Sequence, residues 1–378
     1  MSDSGKFRAK KGLEGVIFDT TTVSHVNPEE KSLYYRGYPV HQLAENCSFE
    51  EVAYLILHGD LPNATQLQEF TDAERAARAL SPGMLEAIKN FPKDGHPMDA
   101  VRTGVSFLGM EPGFSGDDDA ESTLRKAVGL LGAIPTIIAA FERHRSGKEI
   151  VAPDTNLSIA ENFFHMTQGS VPEPEIVKAF DGTLTLYAEH GFNASTFSAR
   201  CIVSTLSDLC GSISGAIACL KGSLHGGANE AVMHLLKEID DPAKALPWLE
   251  DALANKKKIM GFGHRLYRWG DSRVPTMSHY RNLVAEKRDG QKWIDISNIL
   301  EKEMVERKSI HPNLDFPAGP LYYLMGFEID VFTPIFVMAR VVGWSAHVSE
   351  QLSDNRLVRP LADYIGEPPR ELVALADR

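Results

Sequence analysis

The sequence predicts a mainly α-helical protein of two domains, with strand confined to a short segment near the N-terminus. Three observations carry that expectation. Apolar residues recur at helical spacing over most of the chain, caps and glycine stops divide them, and alternating β-branched residues occur only in GVIFDTTTVSHV at 15–26. With 378 residues the chain can bury a substantial core.

Taken in order, residues 15–26 predict a short strand or two, and the pattern turns helical after Gly37-Tyr38-Pro39. Ser48-Phe49-Glu50-Glu51 reads as a capping box, in which the serine caps an early N–H and Glu51 reaches back; Val52, Leu55 and Ile56 follow at helical spacing and Gly59 supplies the stop. Further helices are expected over 64–80, 98–108, 121–145, 157–168, 173–190, 194–220 and 227–239. The remaining ones are expected near 245–256, 274–287, 291–308, 317–326 and 331–353. Gly211, Gly215 and Ala218 would admit a close neighbour along 206–220, which suits either a buried core helix or a subunit interface. The glycine-rich KGSLHGGAN at 221–229 and the polar HPNLDFPAGP at 311–320 are the hinge candidates. They suggest a first domain over 1–221, a second over 222–328 and a return to the first over 329–378.

A formal charge of -12 argues against a general nucleic-acid or membrane-surface binder, since both need a basic field. No apolar segment follows the charged N-terminus, and the longest mostly apolar run, Ala127 to Phe141, falls short of the roughly 20 residues of a membrane span. Cys47, Cys201, Cys210 and Cys219 form no CxxC pair and are expected as buried thiols, so a cytoplasmic home is expected.

Of thirteen histidines, His144, His165, His234, His279 and His347 fall inside helical patterns and need no special role. His190, His225 and His264 differ, each lying at a helix end or in a glycine-rich turn. His225, in GSLHGGANE, precedes a helical stripe, where the helix dipole favours neutral imidazole, a donor suited to a carbonyl becoming an enol; a simple capping histidine is the alternative. Glu230, His234 and Glu238 drift along one helix face without HExxH geometry, so no metal is expected. In GFGHRLYRWGDSR, at 261–273, glycines allow close backbone approach around His264, and Arg268 and Arg273 offer forks for carboxylate or phosphate oxygens; a solvated loop of mixed charge is the alternative. The segment is neither a P-loop nor a dinucleotide fingerprint. Asp315, after a proline-set turn, suits a general base whose pKa burial raises, or a turn-forming aspartate.

Together these segments resemble the citrate synthase family. GSLHGGANE, GFGHRLYRWGDSR and NLDFPAG stand in the family's order, supported by YYRGYPV, YAEHGFNAST, FTPIFVMARVVGW and NRLVRP, so the resemblance spans nearly the whole chain. It implies a two-domain helical fold that closes over its substrates, and condensation of an acyl-CoA with oxaloacetate followed by thioester hydrolysis. By resemblance, His225 donates to the thioester carbonyl, Asp315 removes the α-proton, and His264 polarises the ketone. His190, Arg273 and Arg340 would hold oxaloacetate, and Arg359 would reach into the partner's site of a homodimer. Arg268 would meet the coenzyme A phosphates, with Lys256, Lys257 and Lys258 as further candidates. No cofactor is implied, because the coenzyme A thioester is a substrate. The short chain resembles the branch that often accepts propionyl-CoA. Expected products are therefore 2-methylcitrate, in propionate catabolism, and citrate beside it; a dedicated citrate synthase of the tricarboxylic acid cycle and a silent acyl-CoA-binding homologue are the alternatives. Ser223 stands where the family has proline, Leu266 where it has Ile or Val, and Gly191 where a Glu often follows the histidine.

Overall fold

The computed structural model describes residues 10–27, 30–116, 119–264 and 270–378. Its strands are β1 (Ser24–Asn27), β2 (Ser32–Tyr35) and β3 (Tyr38–Pro39), an antiparallel sheet in the order β1-β2-β3 with Ser24 opposite Tyr35 and Tyr34 opposite Pro39. Only the last residues of the expected 15–26 segment are strand; the rest runs over the surface of the helices. The helices follow as α1 (Val40–Asn46), α2 (Phe49–His58), α3 (Ala64–Ala76), α4 (Pro82–Lys89), α5 (Pro97–Leu108) and α6 (Ala120–Arg145). Next come α7 (Ile159–Gln168), α8 (Pro174–Tyr187), α9 (Ala194–Val203), α10 (Leu209–Leu220) and α11 (Ala228–Ile239). The chain continues through α12 (Pro242–Ala254), α13 (Val274–Lys287), α14 (Gln291–Lys308), α15 (Asp315–Leu324) and α16 (Phe332–Ser353).

Local sequence accounts for most of these limits. The Ser48–Glu51 capping box forms, and Gly59 ends α2 in the left-handed conformation at φ 98°. The expected single helix over 194–220 is two helices. Leu206 turns left-handed at φ 65° and the Asp208 carboxylate caps the Gly211 N–H, which restarts the helix on a new axis. The new axis lets α10 fold back on α9, where Gly215 receives Ile202: a Cβ there would sit 2.1 Å from Ile202 Cδ1. Helix α1 starts where the helical pattern is expected, after Pro39, whereas α4 escaped the periodicity because it is only two turns long, although Ser81-Pro82 is a legible cap and first-turn proline for it.

The core centres on α16, in which every residue from Phe332 to Val348 is buried. A helix buried on all sides has no polar face, so α16 and α6 pass a length-and-composition test for membrane spans; their apolar windows are 89% and 83% buried by the surrounding helices. Helices α2, α5, α6, α8, α9 and α10 pack around α16, while α11 to α15 pack chiefly on one another. The candidate site lies where α8, α16 and the segments leading into α11 and α15 converge.

Candidate active site

The C-terminal end of α8 organises the site. Its last carbonyls lack helical partners and take them from three distant elements. The Tyr35 hydroxyl donates to the Thr185 carbonyl at 3.1 Å and to that of Glu189 at 2.9 Å, Arg273 Nη1 donates to the Leu186 carbonyl at 3.4 Å, and Arg340 Nε donates to the Tyr187 carbonyl at 2.7 Å. Two guanidinium groups thus sit against the negative end of one helix, which favours their charge. Both arginines are buried, as is His190, three residues beyond the helix. The His190 ring meets that of His264 edge-on, with centroids 5.1 Å apart. Burial first, then Arg273, His264 and Arg340, hold His190 well below the ordinary histidine range, so it is neutral.

His264 and Asp315 reach the same place through paired backbones. Gly263 N–H donates to the His311 carbonyl at 2.8 Å, Asn313 N–H donates to the Gly261 carbonyl at 2.9 Å, and Asn313 Nδ2 donates to the Gly263 carbonyl at 2.9 Å. Glycine is required at 261, which has φ 81° and where a Cβ would meet Val232 at 2.6 Å. Burial and then Arg273 lower His264 to about 4, against Asp271. The sequence expectation left Asp271 out, yet it clamps Arg273, accepting from Nε at 3.0 Å and Nη2 at 2.7 Å. Asp315 opens α15, two residues before its expected start, and Tyr187 Oη donates to its Oδ1 at 2.7 Å. Burial raises Asp315 to about 6, a shift the Tyr187 hydrogen bond and Arg273 partly offset.

His225 lies two residues before Gly227, the N-cap of α11. The Ser195 backbone N–H donates to His225 Nε2 at 3.3 Å, and Ser195 Oγ lies 2.8 Å from the same nitrogen. Trp344 Nε1 donates to that hydroxyl at 3.1 Å. With the ring proton assigned to Nδ1, Nε2 accepts from this backbone N–H. His225 is pushed down to about 4, by burial first and Arg340 second. The Phe336 ring joins the parts: its centroid lies 4.3 Å from that of Tyr187, 6.5 Å from that of His225 and 4.8 Å from the Arg340 guanidinium carbon.

Other candidates lie apart from this cluster. Lys256, Lys257 and Lys258 are exposed, and Lys257 pairs with Glu238 at 3.3 Å over the Trp248 ring. Arg359 is exposed in the extended segment after α16, and Arg268 lies outside the described residues. The Glu230–His234–Glu238 face is otherwise engaged: Glu230 accepts from the Thr333 N–H at 3.1 Å and lies 3.4 Å from His96 Nε2, and Glu238 accepts from Trp248. Of the four free cysteines, expected as buried thiols, only Cys210 is buried; Cys47, Cys201 and Cys219 are half-buried. A surface cavity of about 590 Å³, lined by Glu45, Lys178, His279 and Tyr280 among others, contains none of the predicted site residues. Tyr187, Ser195, Asp271 and Phe336 were missed although they stand in the motifs that carried the resemblance; only Asp271 left a signal, an acid two residues before an arginine meant for an anion.

The assembly can do acid–base chemistry on a carbonyl compound. It offers one carboxylate of raised pKa, three neutral imidazoles and two buried guanidinium groups, a set matched to an anion with a polarised carbonyl.

Comparison with known proteins gives one family. The model of the citrate synthase C-terminal domain matches residues 12–361. The chain is 53% identical over 363 residues to the 2-methylcitrate synthase of Mycobacterium tuberculosis H37Rv, covering 96% of this chain and 92% of that protein. It is 52% identical over 366 residues to the citrate synthase of Mycolicibacterium smegmatis, covering 97% of each. Among solved structures, the ternary complex of carboxymethyl coenzyme A and oxaloacetate with citrate synthase from Thermoplasma acidophilum superposes with a TM-score of 0.94 at 31% identity, covering 98% of this chain and 100% of that one.

Proposed function

The chain belongs to the citrate synthase family, and from that premise we propose that it joins the α-carbon of propionyl-CoA or acetyl-CoA to the ketone of oxaloacetate and hydrolyses the resulting thioester. One observation carries the reading: Asp315, with its pKa raised to about 6, is hydrogen-bonded to Tyr187, whose ring packs on Phe336, and Phe336 lies against a His225 held neutral, while the charge of Arg340 acts on both Asp315 and His225. A thioester α-carbon is a weak acid, and a lone carboxylate would have to make a free enolate. Concerted donation to the thioester oxygen avoids that intermediate.

In this reading Asp315 takes the α-proton while His225 Nδ1–H donates to the thioester oxygen. The electron pair of the broken C–H bond forms the enol, whose carbon attacks the oxaloacetate ketone as the enol O–H returns its proton to His225 and the thioester carbonyl reforms. His264 gives a proton to the ketone oxygen as the carbon–carbon bond forms. Water then cleaves the thioester and releases coenzyme A as free thiol. Arg273, Arg340 and His190 hold the oxaloacetate dianion, and the pairing of Arg273 with Asp271 fixes the plane of its guanidinium.

Several finer features belong to the same proposal. Arg268 and Lys256 to Lys258 serve the coenzyme's phosphates. The segment 222–328 moves against the rest to exclude water. Two chains form a homodimer in the cytoplasm, with Arg359 completing the partner's oxaloacetate site and no cofactor involved. The C-terminal segment supports that assembly, because Leu357, Leu361, Tyr364, Ile365 and Leu372 are exposed along it in a single chain.

Purified protein with oxaloacetate and each acyl-CoA tests the reading by thiol release. Silence with both donors would sink it. The ratio of kcat/KM values decides between 2-methylcitrate and citrate; a methyl group in an apolar pocket is worth only about 1–3 kcal/mol, so both donors are expected to react.

A further inference from the structure

We infer that His347 and Glu189, which touch no substrate in the reading above, are positioning residues for oxaloacetate: a buried imidazolium–carboxylate pair that holds the His190 segment against the helix bearing Arg340. The inference rests on the proposed function, because it gives these residues a role through His190 and Arg340.

Both side chains are fully buried. His347 Nε2 is hydrogen-bonded to Glu189 Oε1 at 2.9 Å, and Nδ1, which makes no hydrogen bond, lies within ion-pair distance of Glu350 Oε2 at 3.3 Å, so each ring nitrogen has a carboxylate beside it. A ring with an acid on both sides is most stable with a proton on both nitrogens. Burial alone would remove that charge, but Glu189 and Glu350 outweigh it and raise His347 above the ordinary histidine range.

The charged groups around the pair form a chain that ends at the surface. Glu350 accepts from Arg200 at 2.8 Å and from the Thr22 N–H at 2.7 Å, and Arg200 pairs with Asp19 at 2.6 Å while its guanidinium lies over Phe192 at 4.6 Å. Arg36, in the turn after β2, feels both Glu350 and Glu189, and Tyr35 donates to the Glu189 carbonyl. On α16 itself Arg340 is the other charge that Glu189 feels.

The geometry ties this chain to the oxaloacetate groups. Glu189 immediately precedes His190, and its Oε1 also accepts from Ser24 Oγ at 2.9 Å and from the Gly191 N–H. Its Oε2 has no hydrogen-bond partner and rests on Gly343, where a Cβ would come within 2.2 Å. Along α16, Arg340, Gly343, Trp344 and His347 therefore grip Tyr187, Ala188–Glu189, Ser195 and Glu189 in turn. With His347 neutral, Glu189 and Glu350 would face each other across an uncharged ring, and the backbone on either side of His190 would lose its anchor.

The test replaces charge while keeping hydrogen-bonding groups: His347→Gln, Glu189→Gln and the double variant, assayed by thiol release. Each single change is expected to raise KM for oxaloacetate about tenfold, the loss of one charge-assisted hydrogen bond, with KM for acyl-CoA unchanged. Because the residues act through each other, the double variant should also lie near tenfold rather than a hundredfold. Folded variants with a lower Tm but an unchanged oxaloacetate KM, or additive losses in the double variant, overturn the inference. A neutron structure of the wild type at pH 7.5 keeps it open to refutation if the variants do not fold: deuterium on both ring nitrogens of His347 is expected, and a singly deuterated ring overturns it. Wild-type protein that releases no thiol and binds no oxaloacetate refutes the functional reading, and the positioning role falls with it; active wild type with unaffected variants refutes the inference alone.

Discussion

Tyr187→Phe isolates one hydrogen bond on the proposed base. The Tyr187 hydroxyl donates to Asp315 Oδ1 at 2.7 Å and stabilises only the ionised carboxylate, so its removal must raise the Asp315 pKa. A hydrogen bond to a charged group contributes about 1.5–3 kcal/mol, equivalent to about one to two pKa units. Asp315 is half-buried, so the lower end applies and the carboxyl should move from about 6 to about 7. At pH 6 its ionised fraction would fall from about one half to about one tenth, while at pH 8 it would stay above about nine tenths. The assay is thiol release across pH 5 to 9 at saturating oxaloacetate, with kcat/KM for acyl-CoA as the readout. The acid limb should shift upward with the alkaline plateau nearly preserved. A limb that stays in place or moves to lower pH would refute Tyr187 as the group that holds Asp315 down, and a loss uniform across pH would mean that Tyr187 acts on something other than ionisation. Stability carries the opposite sign. A carboxyl whose folded pKa lies above its unfolded value costs the fold stability as pH rises from about 4 to about 6, and the substitution extends that loss to about 7.

Asp315→Asn should keep the fold and oxaloacetate binding yet lose about 10²- to 10⁴-fold in kcat, read by thiol release beside calorimetric binding; near wild-type turnover would remove Asp315 from the role of base. Mixing Arg359→Ala with Asp315→Asn chains should restore part of the activity in heterodimers, and heterodimers that form without activity would argue against a site built from two chains. Gly343→Ala places a Cβ 2.2 Å from Glu189 Oε2 and 2.5 Å from the Ala188 carbonyl, and should lower stability by about 1–3 kcal/mol or more in a denaturant titration. An alanine variant as stable as wild type would mean that α16 does not press on this segment.

The architecture was legible wherever a local signal was complete. The Ser48–Glu51 box, the Gly59 stop and the start of α13 at Val274 need only residues close in sequence, and they stand where the sequence places them. The long apolar helix at 331–353 was legible as well, but not that it would be central, because a helix buried on all sides carries no face to read. The split at Leu206 was missed since apolar spacing continues through it, and only the left-handed backbone with the Asp208 cap ends one helix and begins the next.

For the site, the sequence supplied the reacting residue types and their segments: His225, His264 and Asp315 in glycine- and proline-marked turns, with Arg273 and Arg340 nearby in motif if not in number. Tertiary structure decided their states. Neutral imidazoles at 190, 225 and 264 and a carboxyl at about 6 follow from burial and from two arginines anchored on the end of α8, and no single segment contains those causes. His347 is the clearest case. It stands in a helical pattern with no mark in the sequence, and it becomes a buried cation only because Glu189, 158 positions away, is folded onto it. Local chemistry is written along the chain, whereas a pKa depends on charges and solvent within a few ångströms in space, and only the fold sets those distances.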